Sequence, residues 1–243
     1  MAYSVPPDTQ RDIAPTGKLR VGLNYGNFLL VLKDKPDGTP QGIAPDLARE
    51  LAKRLEMAIE FVKFDAAGKL ADGVKSGAWD VAFLGNEPQR AAEIAFSPAY
   101  LEIPVTYLVP AGSPIKTIAE VDRKGVRIAV ADKSAYHLFM MRELKNAELV
   151  SADGIEGSYK LFIDSKLDAL AGLKPRLLTD QQKNPGSRIL EGQLTAVQQS
   201  IGTPKSRESA ARYLKEFAAD VKKSGFVAEA IARHKVPGVS VAP

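Results

Sequence analysis

One short phrase, used twice, restricts this chain more than any other feature: an aspartate closing a small turn, followed at once by an apolar run. It occurs as Asp80-Val81-Ala82-Phe83-Leu84 and again as Asp168-Ala169-Leu170-Ala171-Gly172. Unbroken apolar runs of this length read as strands covered on both faces, the habit of parallel sheets. Each is preceded by a helical segment and a turn, so the same grammar of helix, turn, aspartate and buried strand is used in two places. Two α/β lobes follow, each with a mainly parallel sheet flanked by helices.

The remaining elements fit that scheme. Leu19, Val21 and Leu23 alternate through Lys18–Asn24 as a strand, and Tyr25, Gly26, Asn27 and Phe28 form a glycine-bearing loop. A further strand or hairpin edge is expected through Leu29–Leu32, ending at the turn Pro36-Asp37-Gly38-Thr39. Pro45-Asp46 opens a helix with Leu47, Leu51 and Leu55 at helical spacing, Met57–Phe64 is strand-like, and Leu70, Ala71 and Val74 mark a short helix closed by Gly77. In the second series come a short helix near Ile118–Arg123, strands over Val126–Ala131 and Ala147–Val150, and helices from Ser134 to about Lys145 and over Ile155–Ser165. The chain ends in two amphipathic helices, Ser206–Ser224 and Phe226–His234, split by Gly225, with Ser206 expected as the N-cap of the first. Residues 1–17 are polar, carry three prolines and read as a loosely held arm.

Composition removes several function classes. Net charge is only +4, with Lys and Arg scattered among Asp and Glu, so nucleic acid is not indicated as a partner. There are no cysteines and only two histidines, His137 and His234, which rules out disulfides, thiolate metal sites and a histidine-rich metal cluster. No Gly-x-Ser-x-Gly elbow, Gly-x-Gly-x-x-Gly or Walker loop is present, and no cofactor or metal is expected. No segment approaches the ~18 consecutive apolar residues of a membrane span, and the opening residues lack the pattern of a signal peptide.

The chemistry concentrates after the first repeated strand. Gly85 and Asn86 break it, Pro88 suits a first helical turn, and Arg90 follows. A guanidinium at the carboxyl end of a parallel strand lies where open α/β sheets bind ligands, and its planar fork suits a carboxylate. The other reading of Arg90 is a surface residue paired with Glu87 or Glu93.

The loop at Leu19–Phe28, the segment Gly42–Leu55, Gly77-Ala78-Trp79-Asp80-Val81-Ala82, and Pro88-Gln89-Arg90-Ala91 through Phe96-Ser97-Pro98-Ala99-Tyr100 together resemble the periplasmic solute-binding proteins of family 3, which serve ATP-binding-cassette uptake systems for polar amino acids. The resemblance runs from about Lys18 to the end of the chain. It implies a two-lobed periplasmic-binding-protein-like fold of type II with two crossover strands, near Thr106–Val109 and Leu194–Val197. Lobe 1 would comprise residues 18–107 and 195–243, and lobe 2 residues 108–194, with ligand held in the cleft as the lobes close.

The same resemblance assigns roles residue by residue. Arg90 corresponds to the arginine that pairs with the ligand α-carboxylate. Tyr25, Asn27 and Phe28 occupy the aromatic-wall loop. Gly85, Asn86 and Glu87 match the segment that hydrogen-bonds the ligand, although this loop is about two residues shorter than the family's usual form. Ser134, Ala135 and Tyr136 fall at the helix start that forms a second anion clamp, where Ser134 also reads as an N-cap; His137 follows on the same turn. Glu102, just ahead of the first crossover, either faces the cleft or is an exposed charge near a hinge. At Leu173, followed by Lys174, the family's amino-acid binders carry the aspartate that receives the ligand ammonium. Its absence makes a carboxylate without an amino group at least as plausible a ligand as a standard amino acid.

The expected function is therefore capture of a small anionic or zwitterionic solute by a monomeric periplasmic protein that serves a membrane permease, without catalysis. Two alternatives use the same fold: a cyclohexadienyl dehydratase-like enzyme, with Glu87, Glu102 or Asp132 as general acid, and a sensor domain.

Overall fold

The computed structural model describes residues 5–243. In chain order it comprises helix α1 (Pro7–Ile13), strand β1 (Leu19–Asn24), α2 (Ile43–Arg54), β2 (Ile59–Phe64), α3 (Ala67–Asp72), β3 (Val81–Gly85), β4 (Ile94–Phe96), β5 (Leu101–Val109), β6 (Arg127–Ala131), α4 (Ala135–Glu143), β7 (Glu148–Ala152), α5 (Gly154–Asp164), β8 (Ala169–Leu173), α6 (Lys174–Lys183), β9 (Arg188–Ile189), β10 (Thr195–Pro204), α7 (Glu208–Lys223), α8 (Phe226–His234) and β11 (Ser240–Val241). It is the mixed α/β architecture that the doubled phrase predicts. The chain divides into two compact units. One holds the residues up to Leu101 with Gln198–Val236 and Ser240–Pro243; the other holds Glu102–Val197 with Pro237–Val239. The changes of unit at 101/102 and 197/198 fall inside long strands, β5 and β10, a few residues from the 107/108 and 194/195 boundaries expected from the sequence.

In the first unit β1 lies between β2 and β3, parallel to both, and β10 runs antiparallel along the other side of β3. Every residue of β3 is buried, as its unbroken apolar run requires. Leu70, Trp79, Ala82, Leu84 and Ile94 form a core cluster beneath α3, where the Trp79 indole N–H donates to the Leu70 carbonyl at 2.8 Å. The close approach of α3 depends on Gly22 of β1: a Cβ there would stand 2.5 Å from Leu70 Cδ1. Gly225, at φ +82°, supplies the left-handed residue that separates α7 from α8.

Three expectations need correction. Leu29–Leu32 is a turn with buried side chains and not a strand; only the single bridge Leu32–Gln41 survives, because the carbonyl of Asn27 takes the N–H groups of Leu30 and Val31. The arm proposed for residues 1–17 is held in place from Pro7 to Ile13, a helix that buries Thr9 and Ile13; residues 1–4 lie outside the described residues. Ser206 does not cap α7. Asp12 does so from α1, its Oδ2 accepting from the Ala210 N–H at 2.9 Å and the Ser209 hydroxyl at 2.7 Å.

In the second unit β6 lies between β7 and β8, parallel to both, and β5 runs antiparallel to β8. Its core gathers Leu108, Ala129, Phe162, Leu167, Leu170 and Leu177.

The aspartates of the doubled phrase play parallel parts. Asp168 accepts the Arg127 N–H at 2.8 Å at the start of β6. Asp80, fully buried, accepts the Arg20 N–H and Nε, both at 3.0 Å, and the guanidinium of Arg207 at 2.8 Å. Burial works against the Asp80 charge, but hydrogen bonds from Arg20 and Arg207 outweigh it and hold the carboxyl below its ordinary range. Its stabilising contribution is then complete above the ordinary carboxylate value and lost as pH falls through the lowered one. Asp80→Asn should cost about 3 to 5 kcal/mol at pH 7. Urea unfolding at pH 7 and at acid pH checks this: the difference between wild type and variant should shrink in acid.

Candidate functional site

The carboxyl ends of β1, β2 and β3 share one edge of the first unit, since Asn24 pairs with Phe64 and Gly22 with Ala82 in parallel register. The loops leaving that edge carry the expected residues. Continuing the register places Tyr25 level with Gly85.

Arg90 is 7% exposed, and its NH1 donates to the Gly85 carbonyl at 2.7 Å. The main chain reaches it through a tight turn in which the Glu87 carbonyl takes the N–H groups of Arg90 and Ala91 at 2.9 and 3.0 Å. Where Pro88 suits a first helical turn, the turn that forms is a single 3-10 turn, Arg90–Ala92. The guanidinium is thus pinned at the end of β3 and removed from water. Burial lowers its pKa to about 10, while the fields of Glu87 and Asp72 act in the opposite direction. It stays charged at neutral pH, in surroundings where an anion is attracted more strongly than in water. The surface reading of Arg90 is not what this geometry describes.

The neighbouring residues divide by role. Phe28 is 38% exposed on the loop that follows β1. Asn27 is buried and its side-chain oxygen accepts the Leu29 N–H at 3.2 Å, so it shapes the turn and is not part of an aromatic wall. Tyr25 donates its hydroxyl to Asp34 Oδ1 at 2.9 Å, and Lys63 lies 5.0 Å from the centre of its ring and 2.5 Å from Asp34 Oδ2. Burial, and then the bond to Asp34, raise the Tyr25 pKa. Asn86 is exposed, and its N–H donates to the Gln198 carbonyl at 2.8 Å. Glu87 is half-buried.

In the second unit the carboxyl ends of β6, β7 and β8 share an edge in the same way. Ser134 is the N-cap of α4, its hydroxyl accepting the His137 N–H at 3.1 Å. Ala135 and Tyr136 are buried on the first turn. His137 locks the preceding loop: its Nδ1 accepts the Lys133 N–H at 2.9 Å, which fits the left-handed φ of +50° at Lys133. Leu173 is buried at the end of β8 and Lys174 opens α6 half-buried, so no carboxylate stands at that place. Glu102 is half-buried on β5.

A polar cluster on this edge escaped the sequence reading. Arg176 and Asp180, one turn apart on α6, are both buried; Nε of Arg176 lies 2.8 and 2.9 Å from the two Asp180 oxygens, and its NH2 lies 2.6 Å from Glu156 Oε2. Burial lowers the arginine pKa, but its carboxylate partners reverse that and leave it raised. Burial also raises Asp180, against the field of Arg176. Burial pushes the Tyr136 phenol up to about 12, and the charges of Arg176 and Asp180 reach it. The visible signal was the i, i+4 spacing of an arginine and an aspartate directly after a buried strand.

Among the described residues no group of three or more His, Asp or Glu side chains could hold a metal ion, and no helix is long and apolar enough to cross a membrane. Residues 19–235 match the model of the bacterial extracellular solute-binding proteins, family 3. The chain belongs to this family. The glutamine-binding protein of Geobacillus stearothermophilus is 23% identical over 212 residues, covering 85% of this chain and 80% of that one. Among solved structures, the solute receptor for L-cysteine of Neisseria gonorrhoeae superposes with a TM-score of 0.78 at 22% identity over 94% of each chain. An ancestral amino acid-binding protein described as a precursor of cyclohexadienyl dehydratase gives 0.75 at 19% identity, over 93% of this chain and 98% of that one. At such identities the solved structures establish the fold.

His137 yields a direct check on the second edge. Burial lowers its pKa despite the nearby Asp132, so the folded chain binds a proton there less readily than the unfolded chain. Its contribution to stability is present above the ordinary histidine value of about 6.5 and declines as pH falls below it. An NMR titration should place the His137 midpoint below that value, and His137→Ala should remove this part of the pH dependence of unfolding.

Proposed function

We propose that this chain is the extracytoplasmic binding protein of an ATP-binding-cassette importer, acting without catalysis as a periplasmic monomer that delivers a small carboxylate or amino-acid-like solute to its membrane permease. The observation that carries the reading is Arg90, a buried guanidinium fixed at the carboxyl end of β3 by the Gly85 carbonyl. A carboxylate matches its planar donor fork, and away from water the attraction between them is stronger. Phe28, exposed on the loop after β1, supports it by offering an apolar surface from the same edge. Where the amino-acid binders that the sequence resembles carry an aspartate, this chain has Leu173, buried at the end of β8.

The test is isothermal titration against a panel of carboxylates and amino acids, followed by variants assayed with the best binder. Arg90→Ala should weaken binding by about 3 to 5 kcal/mol, roughly two to three and a half orders of magnitude. Arg90→Lys should recover only part of that, because an ammonium cannot reproduce the planar fork. Unchanged affinity in Arg90→Ala would remove the anchor and the reading with it.

A further inference from the structure

Two buried side-chain oxygens near the carboxyl end of β3 have no hydrogen-bond partner among the described residues. Gln199 of β10 stands directly opposite Gly85 of β3, whose carbonyl receives the Arg90 guanidinium. Gln199 is 5% exposed, and its Oε1 is buried with no hydrogen-bond partner among the described residues. Tyr100 adjoins it, its N–H donating to the Gln199 carbonyl at 2.8 Å. The Tyr100 ring stands edge-on to Phe83, with centroids 5.9 Å apart, and its fully buried hydroxyl likewise has no partner among the described residues.

The register shows which face these groups share. Opposed residues of an antiparallel pair project to the same side, and so do residues two apart on one strand. Gln199, Gly85 and Phe83 therefore share a face, and Tyr100 packs on it through Phe83. Ser200, whose hydroxyl is also unpartnered among the described residues, is opposite Leu84 and belongs to the other face with the Trp79 cluster. Buried acceptors are rarely left with nothing to accept, and one next to a desolvated cation is chemically specific: it sees a molecule whose negative end is already held.

We propose that Gln199 Oε1 and the Tyr100 hydroxyl form a second hydrogen-bonding subsite next to Arg90, and that the solute is an acid carrying a hydroxyl or amino donor near its carboxylate. The proposal rests on Arg90 as the anion anchor. Because a glutamine amide is neutral, the subsite reads the presence of a donor and not its charge. A hydroxy acid is then bound at least as well as the matching amino acid.

Butyrate, 2-hydroxybutyrate and 2-aminobutyrate share one carbon skeleton and serve as probes in isothermal titration. Wild type should bind 2-hydroxybutyrate at least about tenfold more tightly than butyrate. Gln199→Met should bring that ratio close to one, and Tyr100→Phe should reduce it part of the way. Gln199→Glu keeps the shape and the acceptor, which guards against a misfolded Met variant, and it should raise the preference for 2-aminobutyrate over 2-hydroxybutyrate. A ratio that survives both Gln199 variants overturns the subsite, as does a wild type that binds the three acids alike or not at all. Arg90→Ala keeps the two ideas apart. If it weakens every acid while Gln199 has no effect on the ratio, the subsite falls and the anchor stands; if it changes nothing, the anchor falls as well.

Discussion

The first unit is organised around one carboxylate taken out of water. Asp80 precedes β3, yet its oxygens hold the backbone and side chain of Arg20 on β1 and the guanidinium of Arg207 ahead of α7. Its own carbonyl takes the Thr203 hydroxyl at 3.0 Å. Three stretches of chain far apart in sequence are brought to one point. A buried ion pair is poor evidence of net stability when compared with an apolar replacement, but it is demanding of position, because any partner that fails to arrive leaves a charge stranded. That demand sets the start of β3, and with it the place at which β3 ends and Arg90 begins to act.

Arg90 illustrates the opposite use of the same physics. Asp80 is held by hydrogen bonds from several sides, whereas at Arg90, which donates to the Gly85 carbonyl, burial outweighs the fields of Glu87 and Asp72 and the pKa falls. The second unit repeats the contrast. Arg176 is held by Asp180 and Glu156 and its pKa rises, as befits a group whose partners belong to the protein. Burial lowers both arginines, and only at Arg176 do carboxylates of the same chain reverse it.

Much of this was legible in residue order. The apolar runs after Asp80 and Asp168 have one structural reading, and α2, α5, α7 and α8 follow from helical spacing of apolar residues. What could not be read was settled by contacts distant in sequence. Leu29, Leu30 and Val31 look like a strand because they are buried, but the carbonyl and side chain of Asn27 curl them into a turn. Ser206 has the chemistry of a cap, but Asp12 reaches the end of α7 first. Gln199 and Tyr100 carried no signal at all, since only the pairing of β10 with β3 places them beside Gly85. Local pattern reports which side chains are buried; it is silent on which buried oxygen lacks a donor.

The discontinuous first unit has a consequence for the order in which the chain can fold. Residues 102–197 supply nearly all of the second unit in one uninterrupted stretch, so that unit depends mainly on contacts available early. In the first unit, β3 gains its antiparallel neighbour only when β10 emerges, and α1 meets its partner α7 later still. Until then β3 is a naked apolar edge, the kind of surface that invites mispairing between chains. A nascent chain of this design passes through a stage with one half formed and the other half unsealed.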